Sequence, residues 1–585
     1  MTYDMTVSDR DKQKAMLESI EWNIAEIRAL IRDCSTESVV QKCRLEDRFP
    51  HPDLQAPKKQ IAFLIGLLLA TDEPPTARDF TDRDWENVAK PLSRLFQVYT
   101  ERYALDREQF RATSISQLKR REIATLAFLD YFFKGTLATA EQLRDHIRVY
   151  AVPFDADLST DLGLSASDAL AIVDSIGAKF RAHADRLDSR STRQEVFSGY
   201  LIRRSELIAQ HGKSGDTFWR AFTVGRGEGD ILHYPTEQSI VECRPFIRLS
   251  ENVALGCKLD DMLLSLLTVV EACLLGGESK ATYIRHRART PQEQTVSFMR
   301  QILGGSARIY QNLFETPDSQ NEHDIVVIGD DLCLFVEVKS SPPNEPFRDP
   351  EKAYTRLQRS FRSDTGIQKA YDQANRLLQA VRSSESVSLY DRDGNEALQL
   401  PRALRDRAYC VCVTKDSYGP ISTCLSFLLE KSDGDPYPWA ISVWNLENIA
   451  EVWRYFRWDQ RQLRAYLSVR EKLHASLFSD DELDYVGAFI LHCGLHHFVS
   501  DTVFPAPLNP TYSDIFDDIH QHLWRGAQPV RIVPVHPNSD SAADLLRTGE
   551  AVLSMSRRQK PIKLMRNELC PCGSGVKSKR CHGML

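Results

Sequence analysis

One short segment, from His323 to Lys339, constrains the fold of this chain more than any other. Two apolar runs in this segment flank a polar turn, and that pattern predicts a β-hairpin. If Asp330 and Asp331 are the two loop residues, Gly329 faces Leu332 and the register of the whole hairpin follows. The segment therefore predicts which side chains meet across the two strands.

The predicted register brings charged side chains together at the open end of the hairpin. Counting outward from the turn places Asp324 opposite Glu337. Lys339 points to the same face as Glu337, because side chains alternate along a strand. Two neighbouring carboxylates repel each other unless a cation joins them, and oxygen ligands of this kind suit Mg²⁺. We expect a divalent-cation site here; the alternative is a structural hairpin whose charged end is solvated.

These residues resemble the PD-(D/E)XK motif of the restriction-endonuclease-like nuclease superfamily. Asp324 and Lys339 match the first and last charged positions of the motif and Glu337 matches the middle one, whereas His323 stands where a proline is usual. The resemblance implies that Asp324, Glu337 and the main-chain carbonyl of Val338 hold Mg²⁺ or Mn²⁺. It also implies that Lys339 orients or activates the attacking water. Such a cation neutralises a phosphodiester and lowers the pKa of bound water.

Two predicted helices beside the hairpin supply further candidate site residues. One begins near Gly366, and the superfamily often places a Gln- or Tyr-bearing helix there; Gln368 is therefore a candidate, with a helix-surface amide as the alternative. Another is predicted to begin at Thr290, and the resemblance makes Glu293 a candidate for an additional metal-site carboxylate. The alternative for Glu293 is a capping box with Thr290, with a proline at the first helical position.

Further elements complete the expected core. Residues 408–414 and 439–444 are short runs rich in β-forming residues, and Asn445 is predicted to cap the helix that follows. The resemblance then implies a restriction-endonuclease-like core over residues 285–460, a mixed β-sheet flanked by helices.

The C-terminus carries a second metal-ligand pattern. Cys570 and Cys572 are followed, after a glycine-rich turn, by Cys581 and His582. Thiolates with an imidazole favour tetrahedral Zn²⁺, and four protein ligands leave no open position for catalysis. The pattern resembles the SEC-C motif, which is a docking element for partner proteins in relatives. A disulfide is the less favoured alternative, because a histidine adjoins the last cysteine and no secretion signal is present.

The surroundings of this motif are basic, which suggests nucleic acid or an acidic protein patch as a partner. Only Glu568 opposes the following set: Arg557, Arg558, Lys560, Lys563, Arg566, Lys577, Lys579 and Arg580. Residues 533–564 are predicted to be a linker that tethers the motif.

A third cluster of potential ligands lies at the predicted end of an apolar helix. His492, Cys493, His496 and His497 could bind a metal, since Cys493 and His497 are one helical turn apart. We favour a structural role, because no second group of ligands is near in the sequence.

Composition limits the classes of partner. The chain has 585 residues and a net charge of −7, so it is not a histone-like binder and must contact nucleic acid through local patches. Two sets of basic residues are candidates, Arg285 and Arg287 before the hairpin, and Lys352, Arg356 and Arg359 after it. A solvated helix face is the alternative for the second set.

The cysteines outside the zinc pattern lie mostly in apolar runs, as reduced thiols do. The N-terminus is polar, and the longest apolar run, 61–70, is too short to span a bilayer. We expect a cytoplasmic protein without a membrane segment.

The expected fold class is a multidomain protein of α/β and α parts. We predict a helical domain over 1–135, a mixed α/β accessory domain over 136–284 and the nuclease-like domain over 285–460. A helical segment over 461–532, the linker and a zinc knuckle over 565–585 follow.

The expected function is Mg²⁺-dependent hydrolysis of phosphodiester bonds, with DNA as the first substrate and RNA left open. By analogy, a nuclease of this kind would serve restriction, phage defence or repair. The alternative is an inactive nuclease-like protein that the zinc motif recruits to a protein or nucleic-acid partner.

Overall fold

A computed structural model describes residues 7–48, 51–103, 114–133, 138–187, 191–318, 321–340, 349–499, 505–530 and 565–582. The predicted linker, 533–564, lies outside these ranges. The chain divides into two compact units. The first comprises Met1–Arg111, Tyr131–Arg287 and Phe347–Glu351, and the second comprises Ala112–Asp130, Ala288–Pro346 and Lys352–Leu585. The predicted six-part division stays a prediction.

The first unit is mostly helical. Its apolar stripes explain why: in the first helix, Ile20, Ile24, Ile27 and Ile31 recur at helical spacing and are all buried. The helices up to residue 303, in chain order, are α1 (Val7–Ile31), α2 (Thr36–Arg48), α3 (Pro57–Leu69), α4 (Asp82–Glu101), α5 (Ile115–Phe133), α6 (Ala140–Tyr150), α7 (Asp155–Asp161), α8 (Ala166–Ala184), α9 (Arg193–Ser198), α10 (Arg204–Phe222), α11 (Leu259–Gly276) and α12 (Lys280–Leu303). Most of α5 belongs to the second unit.

A small four-stranded sheet accompanies these helices. Its spatial order is β1-β4-β3-β2. The strands are β1 (Leu201–Arg203), β2 (Thr223–Val224), β3 (Phe246–Ser250) and β4 (Val253–Leu255). No helix among the described residues is long and apolar enough to cross a membrane.

The second unit is built on a seven-stranded mixed sheet with the order β11-β10-β7-β6-β5-β8-β9. β5, β6 and β7 are antiparallel neighbours, whereas β7, β10 and β11 run parallel. The strands are β5 (Arg308–Phe314), β6 (Glu322–Ile328), β7 (Cys333–Lys339), β8 (Ser386–Tyr390), β9 (Glu396–Pro401), β10 (Ala408–Thr414) and β11 (Trp439–Ser442). The strand predicted at 408–414 is confirmed, and the one predicted from 439 ends at Ser442.

Helices cover both faces of this sheet, which is why its central strands read as nearly continuous apolar runs. One face packs on α14 (Ile367–Ser383), and α13 (Pro350–Phe361) precedes that helix. The other face shares a core with α12 and with the C-terminal helices. These are α16 (Val443–Phe456), α17 (Gln460–Leu473), α18 (Glu482–His492) and α19 (Asp514–Arg525). The short α15 (Pro420–Thr423) and the paired strands β12 (Leu477–Phe478) and β13 (Ala506–Pro507) complete the unit.

Two predicted helix starts are wrong. α12 begins at Lys280 rather than at Thr290, and Pro291 lies inside it. Tyr283 of the additional turns is buried and donates to Glu271 Oε1 at 2.9 Å, so tertiary contacts extend the helix past the capping signal. The cap of α16 is Ser442, whose hydroxyl accepts from the amide of Asn445.

Candidate metal-binding sites

The hairpin has the register that its sequence predicts. The amide of Gly329 donates to the carbonyl of Leu332 at 2.8 Å, and Ile325 pairs with Val336 farther out. The turn is anchored from α17, where Gln460 Oε1 accepts from the amide of Asp330 at 2.8 Å. The two strands are therefore held in one register at the closed end, and that register delivers Asp324 beside Glu337 at the open end.

Asp324 closes the ladder between the two strands. Its Oδ2 accepts from the amide of Val338 at 2.7 Å, in the place of a main-chain carbonyl. Its own carbonyl accepts from Gln292 Nε2 of α12 at 2.9 Å. These contacts fix the position of the Asp324 carboxylate relative to β7.

Glu337 is the unusual group of the site. Its side chain is 1% exposed, and Oε2 has no hydrogen-bond partner. Lys339 Nζ lies 3.9 Å from that oxygen. Burial raises the pKa of Glu337 to about 7; the charge of Asp324 adds to the rise, and His323 and Lys339 oppose it. A buried carboxylate with an unsatisfied oxygen carries a desolvation cost that a cation would offset.

His323 connects Glu337 to a second ion pair. Its Nδ1 lies 3.1 Å from Glu337 Oε1, and its Nε2 lies 3.1 Å from Glu315 Oε1. Arg376 Nε donates to the same Glu315 oxygen at 2.5 Å. In the sequence, His323 stands out only as a departure from the motif. A histidine inside an apolar strand, beside a candidate metal ligand, is the signal that could indicate its contact with Glu337.

Helix α14 does supply a glutamine to the site, but it is not the predicted Gln368. Gln373 Oε1 accepts from Lys339 Nζ at 2.8 Å, which orients the ammonium group. Gln368 instead exchanges hydrogen bonds of 2.8 Å with the amide and the carbonyl of Glu430. Gln368 therefore holds a loop, and the structure does not bring it to the carboxylates.

Glu293 is not brought to the site either. It is exposed and pairs with Arg289 at 2.7 Å. Its neighbour Gln292 makes the contact with Asp324 instead. The contribution of α12 to this end of the hairpin is therefore an amide and not a third carboxylate.

The predicted basic residues fall into two groups. Lys352, Arg356 and Arg359 share the exposed face of α13, whose opposite side buries Ala353 and Leu357. Arg285 and Arg287 belong to the first unit, and Arg287 pairs with Glu271 at 3.7 Å. Of the two sets, the one on α13 lies in the same unit as the hairpin.

The C-terminal cluster fits a zinc ion. Cys570, Cys572, Cys581 and His582 are all buried, and their ligand atoms lie within 4.8 Å of one another. Sulfur–nitrogen separations are 3.3 Å, and the thiols of Cys572 and Cys581 are 3.6 Å apart. Zinc–sulfur bonds of about 2.3 Å place tetrahedral ligands on the order of 3.8 Å apart, so little adjustment is needed. In the described part of the chain no other group of three such ligands is found.

The cluster packs directly on the helices of the second unit. His582 Nε2 lies 3.1 Å from the carbonyl of Phe489, and Trp458 Nε1 donates to the carbonyl of Cys581 at 3.3 Å. Gln462 Nε2 donates to Cys581 Sγ at 3.5 Å. Residues 570–582 are therefore part of a larger core and do not form a separate knob.

The segment after α18 also reaches this cluster. α18 ends at His492, and Cys493 adopts a left-handed conformation with φ of 54°, so Cys493 and His497 are not one helical turn apart. Interaction with the neighbouring thiol of Cys570 raises the pKa of Cys493 well above its ordinary value, and burial adds to the rise. Residues distant in sequence therefore meet beside Cys493, but the group of four clustered ligands does not include it, and the structural role of Cys493 stays a prediction.

The outer side of the motif is basic where it is described. Arg566, Lys577, Lys579 and Arg580 are all exposed. The remaining basic residues of that set, Arg557, Arg558, Lys560 and Lys563, lie outside the described residues.

Comparison with known proteins identifies this C-terminal motif. Residues 566–583 match the SEC-C motif. Protein translocase subunit SecA of Cupriavidus metallidurans is 42% identical over 67 residues, which span 11% of this chain and 7% of that protein. No solved structure matches the chain. The chain thus carries a SEC-C motif with a buried Cys/His cluster consistent with zinc, and the hairpin site rests on its own geometry.

Proposed function

We propose that the second unit is a metal-dependent nuclease that hydrolyses phosphodiester bonds, with DNA as its substrate. The observation that carries the proposal is Glu337, a buried carboxylate whose Oε2 has no hydrogen-bond partner and lies beside Lys339. Buried unpaired oxygens are rare in folded proteins and need an explanation. A hard cation held between Glu337 and Asp324 supplies one.

The proposed mechanism assigns each residue a separate task. Asp324, Glu337 and the carbonyl of Val338 would hold Mg²⁺ or Mn²⁺, which would supply Lewis acidity. Lys339 places positive charge where negative charge develops on the phosphate. Gln373 keeps that ammonium group oriented through the 2.8 Å hydrogen bond.

The arrangement of elements supports the same proposal. Helix α12, the antiparallel strands β5 to β7, helix α14 and the parallel strand β10 follow one another along the chain. This is a mixed sheet flanked by helices, as the nuclease resemblance implies. The exposed basic face of α13 offers Lys352, Arg356 and Arg359 to a phosphate backbone.

Cleavage of linear and plasmid DNA by the purified full chain, with and without added Mg²⁺ or Mn²⁺, tests the proposal. Asp324→Ala and Lys339→Ala should each lower the rate by at least about 100-fold while the protein stays folded. Glu396→Gln, at an exposed position of β9, is the matched control and should cleave normally. Metal-independent cleavage, or unchanged cleavage by both alanine variants, would refute the assignment.

A second candidate function is recruitment through the C-terminal motif. The exposed Arg566, Lys577, Lys579 and Arg580 favour an acidic protein surface or a nucleic acid as the partner. A pulldown with the full chain and with a variant in which all four are glutamine tests this candidate. Recruitment needs no added Mg²⁺, which separates it from catalysis.

A further inference from the structure

The SEC-C motif of this chain is embedded in the main core of the second unit. Cys570, Cys572, Val576 and Cys581 belong to the same buried cluster as Ile325 and other residues on one face of the central sheet. Residues of α16, α17 and α18 belong to the same cluster. An isolated zinc knuckle is folded by its metal alone, whereas here the metal ligands also contribute buried apolar surface.

Three residues outside the motif contact the ligands themselves. The carbonyl of Phe489 lies 3.1 Å from His582 Nε2, so a proton on that nitrogen leaves Nδ1 free to face the cysteine sulfurs. Gln462 Nε2 reaches Cys581 Sγ at 3.5 Å, and an N–H donor of this kind stabilises a thiolate. Trp458 donates to the main chain of Cys581, and its ring centre lies 4.8 Å from that of His582.

We propose that Gln462, Phe489 and Trp458 form the outer coordination shell of the zinc site, so that zinc occupancy is coupled to the folding of α17 and α18. The motif is thus an integral part of the fold of the second unit and not an independent domain on a flexible linker. Gln462 and Trp458 are positioning residues: they fix the ligands without touching the metal. The inference does not depend on nuclease activity.

Gln462 offers a substitution that changes one contact at a time. Its Oε1 also accepts from the amide of Asp459 in the capping box of α17. Gln462→Glu keeps that acceptor and the side-chain size, but it replaces the donor to Cys581 Sγ with an oxygen. Gln142→Glu is the matched control, because Gln142 occupies the same position in the capping box of α6 and is also buried.

Zinc affinity of the full chain, measured by competition with a colorimetric chelator, tests the role of Gln462. Gln462→Glu should bind zinc about 10-fold more weakly or worse, and Gln142→Glu should bind it normally. If Gln462→Glu fails to fold, Gln462→Met with the same readout replaces it, and the same loss is expected. Unchanged zinc affinity in the folded variant would overturn the outer-shell assignment.

Hydrogen exchange of the zinc-loaded and zinc-stripped protein tests the coupling. We expect removal of zinc to increase exchange in α17 and α18 as well as in residues 565–582, with α14 unchanged as the internal reference. Loss of protection confined to residues 565–582 would mean that the motif folds independently, and it would overturn the proposal. Hydrogen exchange does not depend on DNA cleavage, so the coupling between zinc and folding can hold even if the proposed nuclease function fails.

Discussion

The most consequential single residue in this molecule is Glu337. Its carboxylate is buried among apolar strands, and one of its oxygens has no hydrogen-bond partner. Such groups destabilise a fold, and they persist at sites where binding or catalysis requires them. A bound metal ion would explain why this carboxylate is kept in the strand despite its cost to stability.

Removing the charge at Glu337 should stabilise the metal-free protein. The pKa of Glu337 is raised to about 7 in the folded state. Between the ordinary pKa of a glutamate and pH 7, the folded protein therefore binds more protons than the unfolded chain. Stability therefore falls as pH rises through that window, and the cost is complete above it. Glu337→Gln should raise the unfolding free energy at pH 8 by on the order of 2 kcal/mol.

Denaturant unfolding in magnesium-free buffer measures this effect. The variant should also lose any stabilisation by added Mg²⁺ that the parent protein shows. A variant that is less stable than the parent at pH 8 would contradict the account of Glu337 as a strained ligand.

At the level of single residues, contacts within the hairpin were predictable from the sequence, whereas contacts between separate elements were not. The facing of Asp324 and Glu337 followed from strand alternation and a two-residue turn, both of which are local rules. The contacts of His323 with Glu315 and of Lys339 with Gln373 join separate elements. Their geometry depends on how strands and helices pack, which no local pattern encodes.

At the scale of elements, the end of α17 carries a histidine that makes the second unit sensitive to acid. His474 is buried; its Nδ1 accepts from the amide of Leu425 at 3.3 Å, and its Nε2 faces the carbonyl of Pro438 at 3.1 Å. Burial and the charge of Arg470 hold the pKa of His474 well below its usual range. The folded state thus keeps this ring neutral.

The sign of the pH effect follows from that shift. Below the ordinary histidine pKa the unfolded chain binds a proton that the folded chain does not, so stability falls as pH falls. His474→Gln should flatten the dependence of thermal stability between pH 7 and 5, as calorimetry would show. An unchanged slope would mean that His474 is not the group responsible.

The exposed face of α13 gives a prediction about nucleic-acid affinity. Arg356→Gln combined with Arg359→Gln should weaken DNA binding. The slope of the logarithm of the binding constant against the logarithm of the salt concentration should become shallower, by the amount expected for the loss of about two phosphate contacts. The cleavage rate at saturating DNA should stay the same. Lys369→Gln, an exposed change on α14, is the control. If the double variant and the parent protein bind DNA with equal affinity and equal salt dependence, these arginines belong to a solvated helix face that does not contact DNA.

Strand β10 was predictable, because residues 408–414 are rich in β-forming residues. Helix starts were less so. Thr290 to Glu293 has the composition of a capping box, yet the buried Tyr283 extends α12 beyond it. Capping contributes about 1 kcal/mol, and burial of an aromatic side chain outweighs it.

At the scale of the whole molecule, the zinc motif and the sheet share one core within the second unit. The sequence predicts the motif at the end of a linker, because its ligands are local, whereas its packing partners Phe489 and Trp458 lie 93 and 123 residues earlier in the chain. No local pattern in the sequence predicts that Trp458 and Phe489 contact the motif, because they are far from it in the chain. The proximity of Cys493 and Cys570 was not predictable for the same reason.

Zinc content should distinguish ligands from neighbours in this core. Cys581→Ser removes one member of the cluster and should abolish stoichiometric zinc binding, whereas Cys493→Ser should retain it. Elemental analysis of the two purified variants provides the measurement. Loss of zinc in Cys493→Ser would show that this thiol belongs to the ligand set.

The most direct test of the central claim is a crystal structure of the full chain grown with Mn²⁺, examined for anomalous scattering at the open end of the hairpin. We predict a peak between the carboxylates of Asp324 and Glu337 that is absent in Glu337→Gln. Ordered carboxylates with no peak between them, at a Mn²⁺ concentration at which the protein cleaves DNA, would contradict the assignment of this metal site.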